Sequence, residues 1–302
     1  MTDLAQIIGE DLAQPAPASA VAFARTLAEA FDDPVAVLFY GSALRTGDRD
    51  GVLDFYVLTR TSPRGLRGIA SRGLWPDVSY RETSDDQGQL RAKVAAMTLT
   101  QFRRAVTGRG ADTTIWTRFV QPAALVWSDS PETAQAVADA VAEAAKTAAR
   151  FAAALGPVQG RPVDFWTSLF RETYAAEFRV ERGREATLLV ADGDRYNRLV
   201  AAAWRAGGIA VEAGDDGALT PQISAPERRR LVRAWRLRRA LGRPLNIARL
   251  VKAAFTFDGA ASYAAWKLER HTGLAIEVTP WRERHPILAA PGVLWRMWRA
   301  GR

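Results

Sequence analysis

The stretch "LFYGSALRTGDRDGVLDFYVLT", residues 38–59, sets two apolar strands on either side of a Gly-Ser turn and a polar loop, and it places one carboxylate, Asp54, among the apolar residues of the second strand. A Gly-Ser turn at a strand end offers backbone N–H groups and a hydroxyl to phosphate oxygens, and the glycine lets a ligand approach the backbone closely. A carboxylate inside an apolar strand is costly unless it is paired or holds a cation, and Mg2+ favours one or two carboxylates together with substrate phosphates. Gly41, Ser42 and Asp54 therefore fit a nucleotide-binding metal site. The other reading of the same pattern is a surface hairpin whose Asp54 pairs with Arg45 or Arg49. Period-2 alternation puts Tyr56 on the same strand face as Asp54, so the tyrosine is expected in the site itself.

Working outward, two helical stretches (about 3–13 and 19–31) precede this segment, separated by "QPAPA". Strands are expected at 35–40, 52–59, about 77–81, 89–98 and 123–127, which makes an α/β sheet domain. From "SPETAQAVADAVAEAAKTAARFAAAL" the pattern turns helical, with a capping Ser or Asp at its start and a Gly-Pro stop after Leu155. Further helices are expected at 163–181, 193–206, 226–241, 246–254 and 259–271, and "GGIAVEAGDDGALTP" suits only a hairpin or loop. The expected organisation is a sheet domain over 1–130, a helical domain over 131–245 that completes a cleft, and a basic, Trp-rich region over 246–302.

Composition narrows the chemistry. The chain of 302 residues has no cysteine, which excludes disulfide frameworks, zinc ribbons and thiol nucleophiles. The net charge of +8 is unevenly spread: residues 225–302 hold 17 Lys and Arg against 5 acids, and six of the ten tryptophans lie from Trp204 onward. An anionic partner is expected for that end. The first twenty residues have no basic leader, and no apolar run approaches the roughly 20 residues of a membrane span, so a cytoplasmic, non-spanning protein is expected. His271 and His285 each stand beside an arginine without a third partner and are assigned no catalytic role.

The spacing from the Gly-Ser turn to Asp54 resembles that of the nucleotidyltransferase superfamily, although Tyr56 stands where most members carry a second carboxylate. One branch is similar over nearly the whole chain: the mitochondrial-type phosphatidate cytidylyltransferases, first described as translocator maintenance proteins. Their "YGSG…MLDF" segment is matched by "YGSA…VLDF", with an apolar residue where other members have the second acid. "PDVSY" (76–80), "QLRAKVAAMTLTQF" (89–102), "TYAAEFRV" (173–180) and "LVKAAFTFDGAASYAAWKL" (250–268) are similar to further family segments in the same order, with Glu177 standing for the family's Asp.

The resemblance implies a nucleotidyltransferase-like mixed sheet followed by a mainly helical C-terminal domain. It implies transfer of a cytidylyl group from CTP to phosphatidate, giving CDP-diacylglycerol and pyrophosphate, with Mg2+ as cofactor. Gly41 and Ser42 would hold the triphosphate, Asp54 the metal, and Glu177 a further metal or nucleotide contact. Lys93 would meet phosphates or else be a solvated edge lysine, and Arg179, Tyr174 and Asn197 are weaker candidates for contacts. A phosphomonoester acceptor is already largely anionic at neutral pH, so no general base is required, and the missing second acid is tolerated. The expected partners are CTP, phosphatidate and, through the C-terminal region and its "VLWRMWR" segment, an anionic membrane on whose inner face the protein sits peripherally. No nucleic acid is expected. The competing readings are a nucleotidyltransferase acting on RNA or a small alcohol, and a non-catalytic membrane-associated scaffold.

Overall fold

The computed structural model describes residues 3–48, 51–63, 74–176, 189, 192–256 and 279. Its five long strands are β1 (Pro34–Tyr40), β2 (Val52–Thr59), β3 (Asp77–Asp85), β4 (Gly88–Thr98) and β5 (Ala123–Ser128). They form one mixed sheet in the order β3-β4-β2-β1-β5, with β2 and β4 parallel and the other neighbours antiparallel. The nine helices of the described residues are α1 (Leu4–Leu12), α2 (Ala18–Ala30), α3 (Ser42–Thr46), α4 (Leu99–Ala105), α5 (Thr114–Phe119), α6 (Pro131–Leu155), α7 (Pro162–Ala176), α8 (Gly193–Ala206) and α9 (Ala225–Thr256). A small hairpin, β6 (Ala210–Ala213) with β7 (Leu219–Gln222), precedes α9. The chain is thus an α/β sheet followed by a mainly helical C-terminal part.

Burial on both faces explains why β1 and β2 read as nearly continuous apolar runs. Val37, Phe39, Leu53, Phe55 and Val57 point to one face, where Phe23, Ala24 and Leu27 of α2 cover them. Leu38, Tyr40, Tyr56 and Leu58 point to the other and join a single apolar cluster that runs from Leu4 of α1 to Trp235 of α9. At the centre of that cluster lies α6, capped by the Ser130 hydroxyl, which accepts from the Thr133 N–H at 3.2 Å. Its small alanines let α8 approach closely enough for Trp204 Nε1 to donate to the Ala149 carbonyl at 2.7 Å, while Trp166 Nε1 of α7 donates to the Tyr196 carbonyl of α8 at 3.0 Å. The first helix is tied to the same body by a buried pair in which Arg195 Nη2 meets Asp11 Oδ2 at 2.6 Å.

Two features differ from the sequence reading. The short helices α3, α4 and α5 occupy segments read as turn or left unassigned; α4 is set by a capping box between Thr98 and Gln101. The helices expected at 226–241 and 246–254 are one helix that passes through Pro244. An interior proline loses a hydrogen bond and crowds the preceding turn, but α9 is held on both sides of it. Before the proline, Trp235 Nε1 donates to Glu172 at 3.0 Å and Arg238 to the Gly108 carbonyl; after it, Arg249 forms two bonds to Asp112, at 3.0 and 2.6 Å, and Lys252 pairs with Asp77. The helix expected at 259–271, the last five residues of the one expected at 163–181, and the "VLWRMWR" segment lie outside the described residues.

Candidate active site

The register of the sheet assembles the site. Tyr80 of β3, Lys93 of β4, Asp54 of β2 and Tyr40 of β1 are cross-strand partners in one row, and partners directly opposite each other project from the same face. Immediately after Tyr40 the chain turns at Gly41, with φ +93°, into α3. A Cβ at Gly41 would lie 2.9 Å from Asp54 Oδ2, so the backbone of the Gly-Ser turn abuts the carboxylate with no room for a side chain. The turn, Asp54 and Lys93 are therefore neighbours, although Lys93 is 39 residues from Asp54 in the chain. This hairpin is not at the surface, as the competing reading had it, because β1 and β2 are interior strands of the sheet. Nor is Lys93 an edge lysine: β4 has a strand on each side, and the lysine is exposed on the face of the sheet.

That row is also a boundary. One step further along the strands in one direction the same face carries Glu82 and Arg91, which form an ion pair at 3.7 Å. One step in the other direction it carries Tyr56, only 2% exposed. Asp54 sits between, half-buried, where the helix-covered half of the sheet gives way to a polar half. Tyr56 shares the face of Asp54, as alternation requires, yet it is a core residue and not an open part of the site. Its ring packs against Tyr40 at 5.5 Å and edge-on against Phe119 at 5.0 Å. Burial pushes its phenol up to about 12, against the opposing charge of Arg118. Burial raises Tyr40 as well; Arg118, whose guanidinium lies 4.9 Å over the Tyr40 ring and donates to its hydroxyl group, opposes that shift, while Asp54 adds to it.

Sequence reasoning did not find Arg118 or the Asp112–Arg249 pair. Arg118 lies in a stretch left unassigned, and nothing in "TTIWTRFVQP" distinguishes it. Asp112 and Arg249 are 137 residues apart, and only the docking of α9 joins them. Burial alone would raise the Asp112 carboxyl, but hydrogen bonds and charge from Arg249 outweigh it and hold the group below the usual carboxylate range. Of the weaker candidates, Tyr174 is partly buried on α7 and Asn197 is exposed on α8. Glu177 and Arg179 lie outside the described residues.

Among the described residues no three His, Cys, Asp or Glu side chains cluster as a self-sufficient metal site. Asp54 is the one carboxylate in its row, which suits a cation held chiefly by substrate phosphates and water and only in part by protein. A cavity of about 750 Å³ lies elsewhere, lined by Thr59, Thr98, Asp33, Asp77, Ser79 and Arg81. Thr59 and Thr98 end β2 and β4, five residues beyond Asp54 and Lys93, or about 16 Å along the strands. No described helix is long and apolar enough to cross a membrane.

No protein-family model matches the chain, and no curated protein does. Among solved structures it is similar to a nucleotidyltransferase-like protein from Exiguobacterium sibiricum, at 10% identity over 83% of this chain and 79% of that one, with a TM-score of 0.27.

Proposed function

We propose that the chain is a nucleotidyltransferase that moves a cytidylyl group from CTP to phosphatidate, giving CDP-diacylglycerol and pyrophosphate. The observation that carries the reading is the contact of Gly41 with the Asp54 carboxylate, with Lys93 in register beside it. Backbone N–H groups of the turn and the Ser42 hydroxyl would bind triphosphate oxygens, and Lys93 would neutralise a phosphate. Asp54 would hold Mg2+, which when bound supplies charge neutralisation to the transferring phosphoryl group. Glu177 and Arg179 belong to the proposal as a further metal ligand and phosphate contact.

The buried Tyr56 supports the choice of acceptor. A phenol titrating at about 12 supplies neither a base nor an anionic ligand at neutral pH. A phosphomonoester needs no base, since its second pKa is near 6. One of its oxygens attacks the α-phosphorus, the bond from that phosphorus to the bridging oxygen of the β-phosphate breaks, and pyrophosphate leaves with the electron pair. Because this acceptor resides in a bilayer, the reading requires an anionic membrane surface as partner and a peripheral location on its inner face.

The test is to incubate purified protein with Mg2+, phosphatidate in mixed micelles and each of the four labelled nucleoside triphosphates at equal concentration. Labelled CDP-diacylglycerol, formed fastest from CTP and abolished by chelation of Mg2+, is the expected result. Transfer to an added alcohol or RNA but not to phosphatidate overturns the acceptor, and preference for ATP or UTP overturns the nucleotide.

A further inference from the structure

The helix α9 divides cleanly into two faces. Leu231, Trp235 and Arg238, spaced i, i+4, i+7, are buried against the body of the protein, and Gly242 continues the line, where a Cβ would lie 2.6 Å from the carbonyl oxygen of Ala176 at the end of α7. The opposite face is open. Along it run Arg229, Arg233 and Arg236, followed by Leu237, Ala240, Leu241, Pro244 and Ile247, all exposed. Of the five large aliphatic side chains exposed among the described residues, three are here: Leu237 (58%), Leu241 (41%) and Ile247 (57%). The face from Arg229 to Ile247 spans about 27 Å of helix. Its first half is cationic and its second half apolar, and the two neighbouring arginines, Arg230 and Arg239, pair only at 3.7 Å with Glu227 and Glu172.

We propose that this face of α9 is the surface with which the protein docks on an anionic lipid bilayer. The proposal deepens the lipid-acceptor reading and rests on it for its role in turnover, but the surface itself is argued from α9 alone. The residues of α9 include ten Arg and Lys and one acid, so the complementary partner is anionic. Phosphate groups of a nucleic acid would satisfy the arginines but leave the aliphatic half of the face in water. A leaflet of anionic lipid takes both: head-group phosphates meet Arg229, Arg233 and Arg236, while Leu237, Leu241 and Ile247 enter the boundary between head groups and acyl chains. A basic stretch that leads into an aliphatic stretch on one exposed face lets the helix lie in the plane of a leaflet, and here it is already anchored to the enzyme by its other face.

The experiment is co-sedimentation of the full chain with phosphatidylcholine vesicles, with and without 30% phosphatidylserine, at low and high salt. The expected result is binding to the anionic vesicles only, weakened by salt. Arg229→Gln, Arg233→Gln and Arg236→Gln together should lower the partition about a hundredfold, since each basic residue near an anionic leaflet is worth roughly fivefold. The corresponding triple Lys variant should retain binding, and Leu237→Ser, Leu241→Ser and Ile247→Ser together should abolish it. Unchanged binding in the Gln and Ser variants overturns the proposal. So does a dimer in lipid-free solution that the Ser variant dissociates while vesicle binding persists, because the face would then join two copies of the chain. Turnover on a water-soluble short-chain phosphatidate separates this from the catalytic reading. Variants that lose vesicle binding yet turn over the soluble acceptor leave the chemistry standing, whereas α9-dependent binding without any turnover leaves the docking surface standing alone.

Discussion

Replacing Gly41 by alanine tests the site at its tightest point. The glycine has φ +93° and ψ −162°, a region essentially reserved for glycine, so alanine there costs of order 1–3 kcal/mol in backbone strain. Its Cβ would also stand 2.9 Å from Asp54 Oδ2, where ordinary contact begins at 3.4 Å, so the carboxylate must retreat by about half an ångström. A displacement of 1 Å at a reacting centre costs about a hundredfold in rate, and half of that distance is on the order of tenfold at least. Gly41→Ala should therefore lose roughly 1–3 kcal/mol of stability in urea unfolding and ten- to a hundredfold in nucleotidyl transfer. Gly47→Ala is the matched control: Gly47 also has positive φ, +69°, but no atom lies within 4 Å of its Cβ position. It should lose roughly 1–2 kcal/mol of stability and no activity. Turnover of Gly41→Ala within twofold of wild type, or equal losses in the two variants, would refute the claim that Gly41 is small for the sake of Asp54.

Asp54→Asn should preserve the melting transition while lowering turnover about a thousandfold, equivalent to about 4 kcal/mol of transition-state stabilisation; near-normal rates in a transfer assay would end the nucleotidyltransferase reading. At alkaline pH the phenol of Tyr56 stays protonated in the folded chain up to about 12 while its unfolded counterpart ionises near 10, so the contribution of this group is intact below pH 10 and is lost between about 10 and 12. Urea unfolding across that window should show a stability loss that Tyr56→Phe reduces, and identical slopes for the two proteins would contradict the burial argument. Asp112 titrates in the opposite sense, since its lowered pKa gives stability above the ordinary carboxylate range that is lost as the pH falls through the folded value. Arg249→Met should cost about 3–5 kcal/mol by stranding the Asp112 carboxylate, and adding Asp112→Asn should recover part of it; a Met variant as stable as wild type would mean that the pair does not clamp α9.

Much of the sheet was legible because its signals are local. The strand from Val52 to Thr59 has the bounds that its apolar run predicts, and Asp54 stands out within it because Val52, Leu53, Phe55 and Tyr56 around it are aliphatic or aromatic. What could not be read is whatever depends on where a face stops being covered. Alternation alone puts Tyr56 beside Asp54, but only the packing of Phe119 against it turns one into core and leaves the other half-open. Lys93 was read with an edge position as one option because strand order is not written in a single strand; the parallel pairing of β2 with β4 makes it interior. Likewise Gly242 and Pro244 are sound signals for a helix end, and they fail because Asp112 and Glu172, far away in sequence, hold the helix on either side of them. Of the site, Gly41, Ser42 and Asp54 were visible as one motif, whereas Arg118 reaches Tyr40 from a helix that carries no distinguishing pattern.

The pairing of Asp11 with Arg195 has a consequence for how the protein is made. Helix α1 leaves the ribosome well before its partner, because the arginine that pairs with its carboxylate follows 184 residues later. At roughly 5–20 residues per second, about ten to forty seconds pass in which Leu4, Ile7, Ile8 and Leu12 have no completed surface on which to dock. Throughout that interval the nascent chain presents the apolar side of α1, a site for chaperones and for neighbouring chains on a crowded polysome. Docking of α1 against Arg195 must then wait for α8, and slowing translation between α6 and α8 should lengthen the period for which α1 is sensitive to protease.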